Sequence, residues 1–426
     1  MRYSVIGATL EQVKSAGGRD IREAPGTGII FAELAEAGVA LLKSRGAAVK
    51  KVGAVKPTEI APPVPIPVEE GYSPLDLMAG IGFTDEFRHI IEPPLYGEGI
   101  ALAVLDSGIR ETHELVNGRV VYARNFTATP AGDGFGHGTG VASIVTAIAP
   151  QCDLIDIKVI GDDGLGTDEA VIMGISEVIH LKETREDLFL YGINLSLGKE
   201  DDGDPFDPLR IACRAALDKG LWIGAAAGNY GPGPGTITSP ASERYVIAVG
   251  SVSYDPARPE TSFLVSSFSS RGTTKEGLIK PDIVLPGESI VMADSRSDRA
   301  TIVKSGTSFA TPFACAIGLL HYEGAMKQAY RRAEYLQPGL PVGWVHTTPM
   351  EFMDKWAPLI TVKPVGAPRG KDVDYGWGIP FGELAALAIT GRLSSQVTGG
   401  ILDMAVPVMG LGIVGMMLGN MAKALR

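Results

Sequence analysis

Apolar runs of five to seven residues recur through the middle of the chain, at 101–105, 154–160, 193–197, 221–226 and 246–252, with longer stretches of mixed polarity between them. Continuous apolar runs without strict alternation are what strands buried on both faces carry, and the stretches between them bear helix signals. Thr167-Asp168-Glu169 supplies an N-cap followed by two acids. Asp207-Pro208 supplies an N-cap followed by proline at the first helical position, and Lys219-Gly220 a stop. The alternation predicts an α/β domain, a parallel sheet with helices on both faces. Residues 75–94 predict helices leading into that sheet, and Gly97-Glu98-Gly99 the turn before its first strand.

Ahead of this lies a smaller pattern. Residues 3–7 form a short apolar strand, and Leu10, Val13 and Ala16 mark one face of a helix that Gly17-Gly18 stops. Residues 28–32 read as a strand, Leu34, Leu41 and Leu42 as a second helix, and 48–55 as a returning strand. The β-α-β-α-β order makes 1–56 a small α+β unit. A linker, 57–71, follows, with prolines at 57, 62, 63, 65 and 67. Such a tract prefers an extended conformation rising about 3.1 Å per residue and acts as a spacer. The large domain occupies 72–391, and a Gly- and Met-rich hydrophobic tail, 392–426, ends the chain.

The candidate chemistry lies at three element ends. Ser305-Gly306-Thr307-Ser308-Phe309-Ala310-Thr311-Pro312 presents a serine just ahead of an apolar helical run, where free N–H groups and a positive dipole end lie beside the hydroxyl. Taken alone, it reads first as a helix-capping serine. The run ending in Asp106-Ser107-Gly108 puts a carboxylate at a strand end, and Gly136-His137-Gly138-Thr139 puts a histidine at a helix start. An aspartate to orient a histidine, and a histidine to take the serine proton, are the parts of an acyl-transfer triad, in the chain order Asp, His, Ser.

These motifs resemble the subtilisin-like serine proteases over residues 72–389. The resemblance implies Asp106, His137 and Ser308 as the triad. It also implies Asn229, in Ala225-Ala226-Ala227-Gly228-Asn229, as the oxyanion donor. Ser196, Leu197 and Gly198, with Ala225, Ala226, Ala227 and Gly228, would bind an extended protein or peptide substrate. It further implies that 1–56 resembles the family's inhibitory prodomain and that the enzyme processes itself. Proline after a scissile bond removes an N–H that an extended substrate offers, so the cut is expected between Val68 and Leu75, at Glu69-Glu70-Gly71-Tyr72. Two other readings stand beside an endopeptidase: a catalytically quiet structural or assembly protein on the same fold, and an esterase or amidase using the same triad.

Composition narrows this picture. With 426 residues, 45% hydrophobic and 20% charged, the chain buries a large core, and a net charge of −11 argues against a nucleic-acid partner. Three cysteines, Cys152, Cys213 and Cys315, suit core packing rather than a disulfide framework. The first residues lack the apolar core of a signal peptide, which favours an intracellular protein. No cofactor is required. Calcium is common among the proteins resembled, but Asp162-Asp163-Gly164 reads as a solvated turn and no ligand set can be assigned. His89, His113, His180, His321 and His346 read as structural. The uncharged stretch 404–419 admits two readings, a helix that packs on a second copy or a protein partner, or a membrane segment.

Overall fold

The computed structural model describes residues 1–58, 71–254, 263–335, 357–363, 367–382 and 385. His346, most of the Pro-rich linker and the tail 392–426, with both of its readings, lie outside them.

The N-terminal unit consists of β1 (Arg2–Ile6), α1 (Leu10–Ser15), β2 (Arg19–Ala24), β3 (Ile29–Glu33), α2 (Glu36–Ser44), β4 (Ala48–Lys51) and β5 (Ala54–Pro57). The first four strands form an antiparallel sheet in the order β2-β3-β1-β4. Thr9 and Gln12 form a capping box at α1, satisfying donors that the first helical turn leaves open. β2 was not visible in the hydrophobic pattern, because Arg19-Asp20-Ile21-Arg22-Glu23 is largely solvent-facing. The expected strand over 48–55 is two strands separated at Gly53, and β5 leaves the sheet of its own unit altogether.

After α3 (Pro74–Gly80) and α4 (Asp85–Arg88), the large domain runs β6 (Ala101–Asp106), β7 (Val120–Asn125), α5 (His137–Ile148), β8 (Asp153–Lys158), β9 (Gly166–Thr167) and α6 (Asp168–Thr184). It continues with β10 (Leu190–Leu195), β11 (Leu197–Gly198), α7 (Pro208–Asp218), β12 (Trp222–Ala226) and β13 (Ile247–Val252). A short ladder, β14 (Gly272–Thr273) and β15 (Ile279–Lys280), precedes β16 (Ile283–Pro286), the hairpin β17 (Ile290–Ala293) and β18 (Thr301–Lys304), and the long helix α8 (Thr307–Tyr335). Seven strands form the expected parallel sheet, in the order β16-β13-β12-β10-β6-β8-β7. The edge strands β7 and β16 were missed, the first because its residues alternate in exposure and the second because it is four residues long.

Two apolar layers cover the sheet. One gathers side chains of α3, α5 and α8, and the other those of α6 and α7. Ala24, Ile29 and Phe31 of the N-terminal unit join the second layer, so that unit is docked on the outside of α6. A Cβ on Gly26 would meet Ile179 Cγ2 at 2.8 Å, and the Ser176 hydroxyl donates to the Pro25 carbonyl at 2.7 Å. Charge reinforces the contact. Arg2 pairs with Glu169, and the Lys50 ammonium lies 2.7, 3.1 and 3.4 Å from Asp202, Asp204 and Asp207. Burial alone would lower the Lys50 ammonium, but the three carboxylates hold it well above the usual lysine range. Among the described residues no helix is long and apolar enough to cross a membrane.

Candidate active site

Asp106 is the last residue of β6, and His137 opens α5. The His137 Nδ1 and Asp106 Oδ1 are 2.7 Å apart, and Oδ1 also accepts the Ser107 N–H at 2.7 Å. Both side chains are inaccessible to solvent. Gly136, at φ +92°, turns the chain into α5 without a side-chain cap. The half-buried Asp133 takes over that role: it accepts N–H groups of Gly136 and Thr139 and the hydroxyls of Thr139 and Ser107. Burial raises the Asp133 carboxyl while these donors pull it back, leaving it above the ordinary aspartate value. Ser107 Oγ accepts the Gly138 N–H at 2.9 Å, so the Asp106 turn and the His137 helix are tied together at two points.

Ser308 lies in the first turn of α8, three residues after Ser305. Pro312 has no N–H to give the Ser308 carbonyl four residues back. The Ser196 hydroxyl donates to that carbonyl at 2.7 Å, and Asn194 Nδ2 donates to Ser196 Oγ at 2.9 Å. Ser308 Oγ–H in turn donates to the Ser196 carbonyl at 2.7 Å. The loop after β12 approaches from the other side: Asn229 Oδ1 accepts the N–H and hydroxyl of Thr307 at 3.0 and 2.9 Å. That fixes the amide so that Nδ2, buried and without a hydrogen-bond partner among the described residues, points away from Thr307. The Gly228 N–H donates to Thr307 Oγ1 at 3.3 Å. The rings of His137 and Phe309, the residue after Ser308, are 5.2 Å apart.

All eleven residues expected at the site lie on these adjoining segments. Ser196, Leu197 and Gly198 follow β10, and Ala225, Ala226, Ala227 and Gly228 end β12 and begin its loop. What the sequence did not disclose is that the cleft is filled by the chain's own β5. Lys56 and Pro57 pair antiparallel with Gly198 and Leu197, and Ala54 and Val55 with Thr167 and Gly166. Thr58 follows. Its N–H lies 3.3 Å from the Ser196 carbonyl and 2.9 Å from Ser308 Oγ, its hydroxyl 2.7 Å from Ser308 Oγ, and its carbonyl accepts the Ser308 N–H at 3.2 Å.

The residue lying at Ser308 is Thr58 rather than Tyr72 of the expected cut between Val68 and Leu75. Tyr72 is engaged elsewhere: its N–H donates to Ser289 at 2.8 Å, and its carbonyl accepts from Val291 at 3.0 Å. A signal was available in Val55-Lys56-Pro57, whose apolar, charged, apolar alternation suits a strand with one face covered.

The other titratable candidates are structural. The three cysteines are free and buried, and burial pushes the thiols of Cys152 and Cys315 up to about 12 and that of Cys213 higher still, which leaves no reactive thiolate. Asp162 binds the buried Lys158 ammonium at 2.7 Å, and no group of three or more His, Cys, Asp or Glu among the described residues is gathered for a metal.

The fold and this site define a subtilisin-like hydrolase class. Residues 97–338, more than half of the chain, match the Peptidase_S8 subtilase family, and the chain belongs to it. It is 33% identical over 254 residues to serine protease AprX of Bacillus subtilis (strain 168), an alignment covering 53% of this chain and 57% of AprX. It is 30% identical over 272 residues to an intracellular serine protease of Paenibacillus polymyxa, covering 58% of this chain and 76% of that one. The alignment with AprX thus spans little more than half of that relative. The keratinolytic subtilisin relative fervidolysin of Fervidobacterium pennivorans shares the fold, with a TM-score of 0.66 at 19% identity over 92% of this chain and 61% of its own.

Proposed function

We propose that the chain is a serine endopeptidase that cleaves its own Thr58–Glu59 bond and is held inactive, until the N-terminal unit leaves, by the strand it has cut. The observation that carries this is Thr58, whose carbonyl accepts the Ser308 N–H while its own N–H reaches the Ser196 carbonyl. A peptide group held in this way presents its carbonyl carbon to the serine.

In this reading Ser308 Oγ turns from the Ser196 carbonyl, gives its proton to His137 Nε2 and attacks the Thr58 carbonyl carbon. Asp106 holds the imidazolium. The oxyanion takes the Ser308 N–H and the unpartnered Asn229 Nδ2. Collapse breaks the C–N bond, with His137 protonating the Glu59 amine. Water then frees the Thr58 carboxylate, restoring the serine. No cofactor enters any step. Other proteins or peptides would follow the same path once β5 has left, and the name of the Paenibacillus relative suggests that they are met inside the cell.

Intact-mass and N-terminal analysis of purified wild-type and Ser308→Ala chains tests the proposal. The wild type should yield a new N-terminus at Glu59, and the variant should stay whole. An uncut, casein-degrading wild type would show that the N-terminal unit is not removed, and a wild type with neither activity would remove the enzyme reading.

A further inference from the structure

Strand β8 buries a lysine whose partners lie on the turns that carry Asp106 and His137. Lys158 and Asp106 are register partners in the parallel pair of β8 and β6, so their side chains leave the sheet on one face, the face that α5 covers. The Lys158 ammonium donates to the Ser107 carbonyl at 2.7 Å, the Gly132 carbonyl at 2.8 Å and Asp162 Oδ1 at 2.7 Å. Ser107 follows Asp106, and Gly132 belongs to the loop that leads to His137. These acceptors use all three N–H groups, and no side chain but lysine presents three donors from one atom.

The two carbonyls are brought together by the packing of the turns. A Cβ on Gly108 would fall on the Gly132 carbonyl, so the turn after Asp106 rests directly on the loop before His137. The negative ends of two peptide dipoles then converge in a buried space, which costs free energy unless a donor lies between them. Lys158 is that donor. Asp162 supplies the counter-charge from the exposed side, and the hydrogen bond from the ammonium holds the Asp162 carboxyl below its ordinary value. A Cβ on Gly134 would fall on the Asp162 carboxylate, so Asp162 also braces the loop before His137. The rest of β8 grips the Asp106 turn in step: the Asp106 carbonyl accepts the N–H groups of Val159 and Ile160 at 2.8 and 3.1 Å. If Lys158 only filled space, an apolar side chain of its length would serve at lower cost, since a buried ammonium is expensive even when paired.

We propose that Lys158, steadied by Asp162, is a positioning residue for catalysis: it clamps the turn after Asp106 to the loop before His137 and so keeps their side chains in hydrogen-bond register. Its kinetic consequences rest on the endopeptidase reading. The 2.7 Å contact between His137 and Asp106 that it protects is already present in the uncut chain.

Two measurements test this. Proton NMR of the uncut Ser308→Ala chain reads the ring proton between His137 Nδ1 and Asp106. The self-processed enzymes, given casein and an internally quenched peptide spanning residues 54–61, supply kcat and KM. Lys158→Met keeps the length and removes the donors. It should lose the ring proton or exchange it rapidly while the circular dichroism of the fold is kept, and should lower kcat roughly 10²-fold with KM changed less than about twofold. Lys158→Arg, which returns charge and donors, should regain the proton and about tenfold of the rate. Asp162→Asn, a change at an exposed residue, should lower kcat several-fold. A folded Lys158→Met chain whose ring proton or kcat stays at the parent's level overturns the proposal, as does a Lys158→Arg chain no better than Lys158→Met. If Lys158→Met does not fold, Asp162→Asn decides, and a ring proton and kcat equal to the parent's overturn the proposal. A wild type that degrades neither casein nor peptide overturns the endopeptidase reading, and the ring proton then decides the role of Lys158 by itself.

Discussion

Asp156 shows how a carboxyl can carry a cost in this fold. It lies in β8 with Oδ2 accepting the Ile109 N–H at 3.1 Å and Oδ1 buried without a partner among the described residues. Burial pushes it up to about 7, partly offset by the Ile109 N–H and increased again by Asp133 and Glu111. The folded chain therefore holds this proton more tightly than the unfolded chain. Its contribution to stability is lost as pH rises from the unfolded aspartate value near 4 to about 7, by a few kcal/mol at most. In a Ser308→Ala background, Asp156→Asn should equal the parent near pH 4, exceed it increasingly up to about pH 7 and keep that margin above. Urea midpoints across that range check the sign. At this scale the sequence was a good guide to the polar groups set in motifs and a poor one to their partners. His137 stands between glycines, and Asp106 and Ser308 each lie two residues from one. Thr58 is an ordinary threonine that stands out only through what lies across the cleft.

Elements meet at this site because certain side chains are missing. α5 rests on the Asp106 turn at Gly138, where a Cβ would meet the Gly108 carbonyl at 2.3 Å and Asp106 Cβ at 3.1 Å. Gly138→Ala should favour the helix locally by about 1 kcal/mol yet push α5 from the turn. Proteolysis should fall on the order of 10²-fold, the scale of an ångström's misplacement of a reacting group, while the circular dichroism of the folded chain is retained. The central strands and the capped helices were legible because buried parallel strands are apolar along their whole length and because Thr167 and Asp207 do cap α6 and α7. β2 and β5 were not, since the first faces solvent and the second finds its partners in another part of the chain.

For the molecule as a whole, the N-terminal unit is held by three kinds of contact: apolar packing on α6, the seat of β5 in the cleft, and ion pairs, Arg2 with Glu169 and Lys50 with Asp202, Asp204 and Asp207. Only the last is sensitive to salt. Lys50→Met should shorten the lag before casein hydrolysis several-fold, and added salt should shorten the lag of the wild type more than that of the variant. Progress curves at two ionic strengths check this.

Thr58 and Ser308 are 250 positions apart in one polymer. While the backbone after Thr58 is whole, the blocking strand is a tethered group whose local concentration is fixed by the linker and does not change with dilution. Hydrolysis of that one bond turns an intramolecular association into a bimolecular one. Occupancy of the cleft then depends on how much protein is present, so crowded molecules re-block one another and sparse ones do not. The proposed self-cleavage that completes the enzyme would thus also give it a sense of its own abundance.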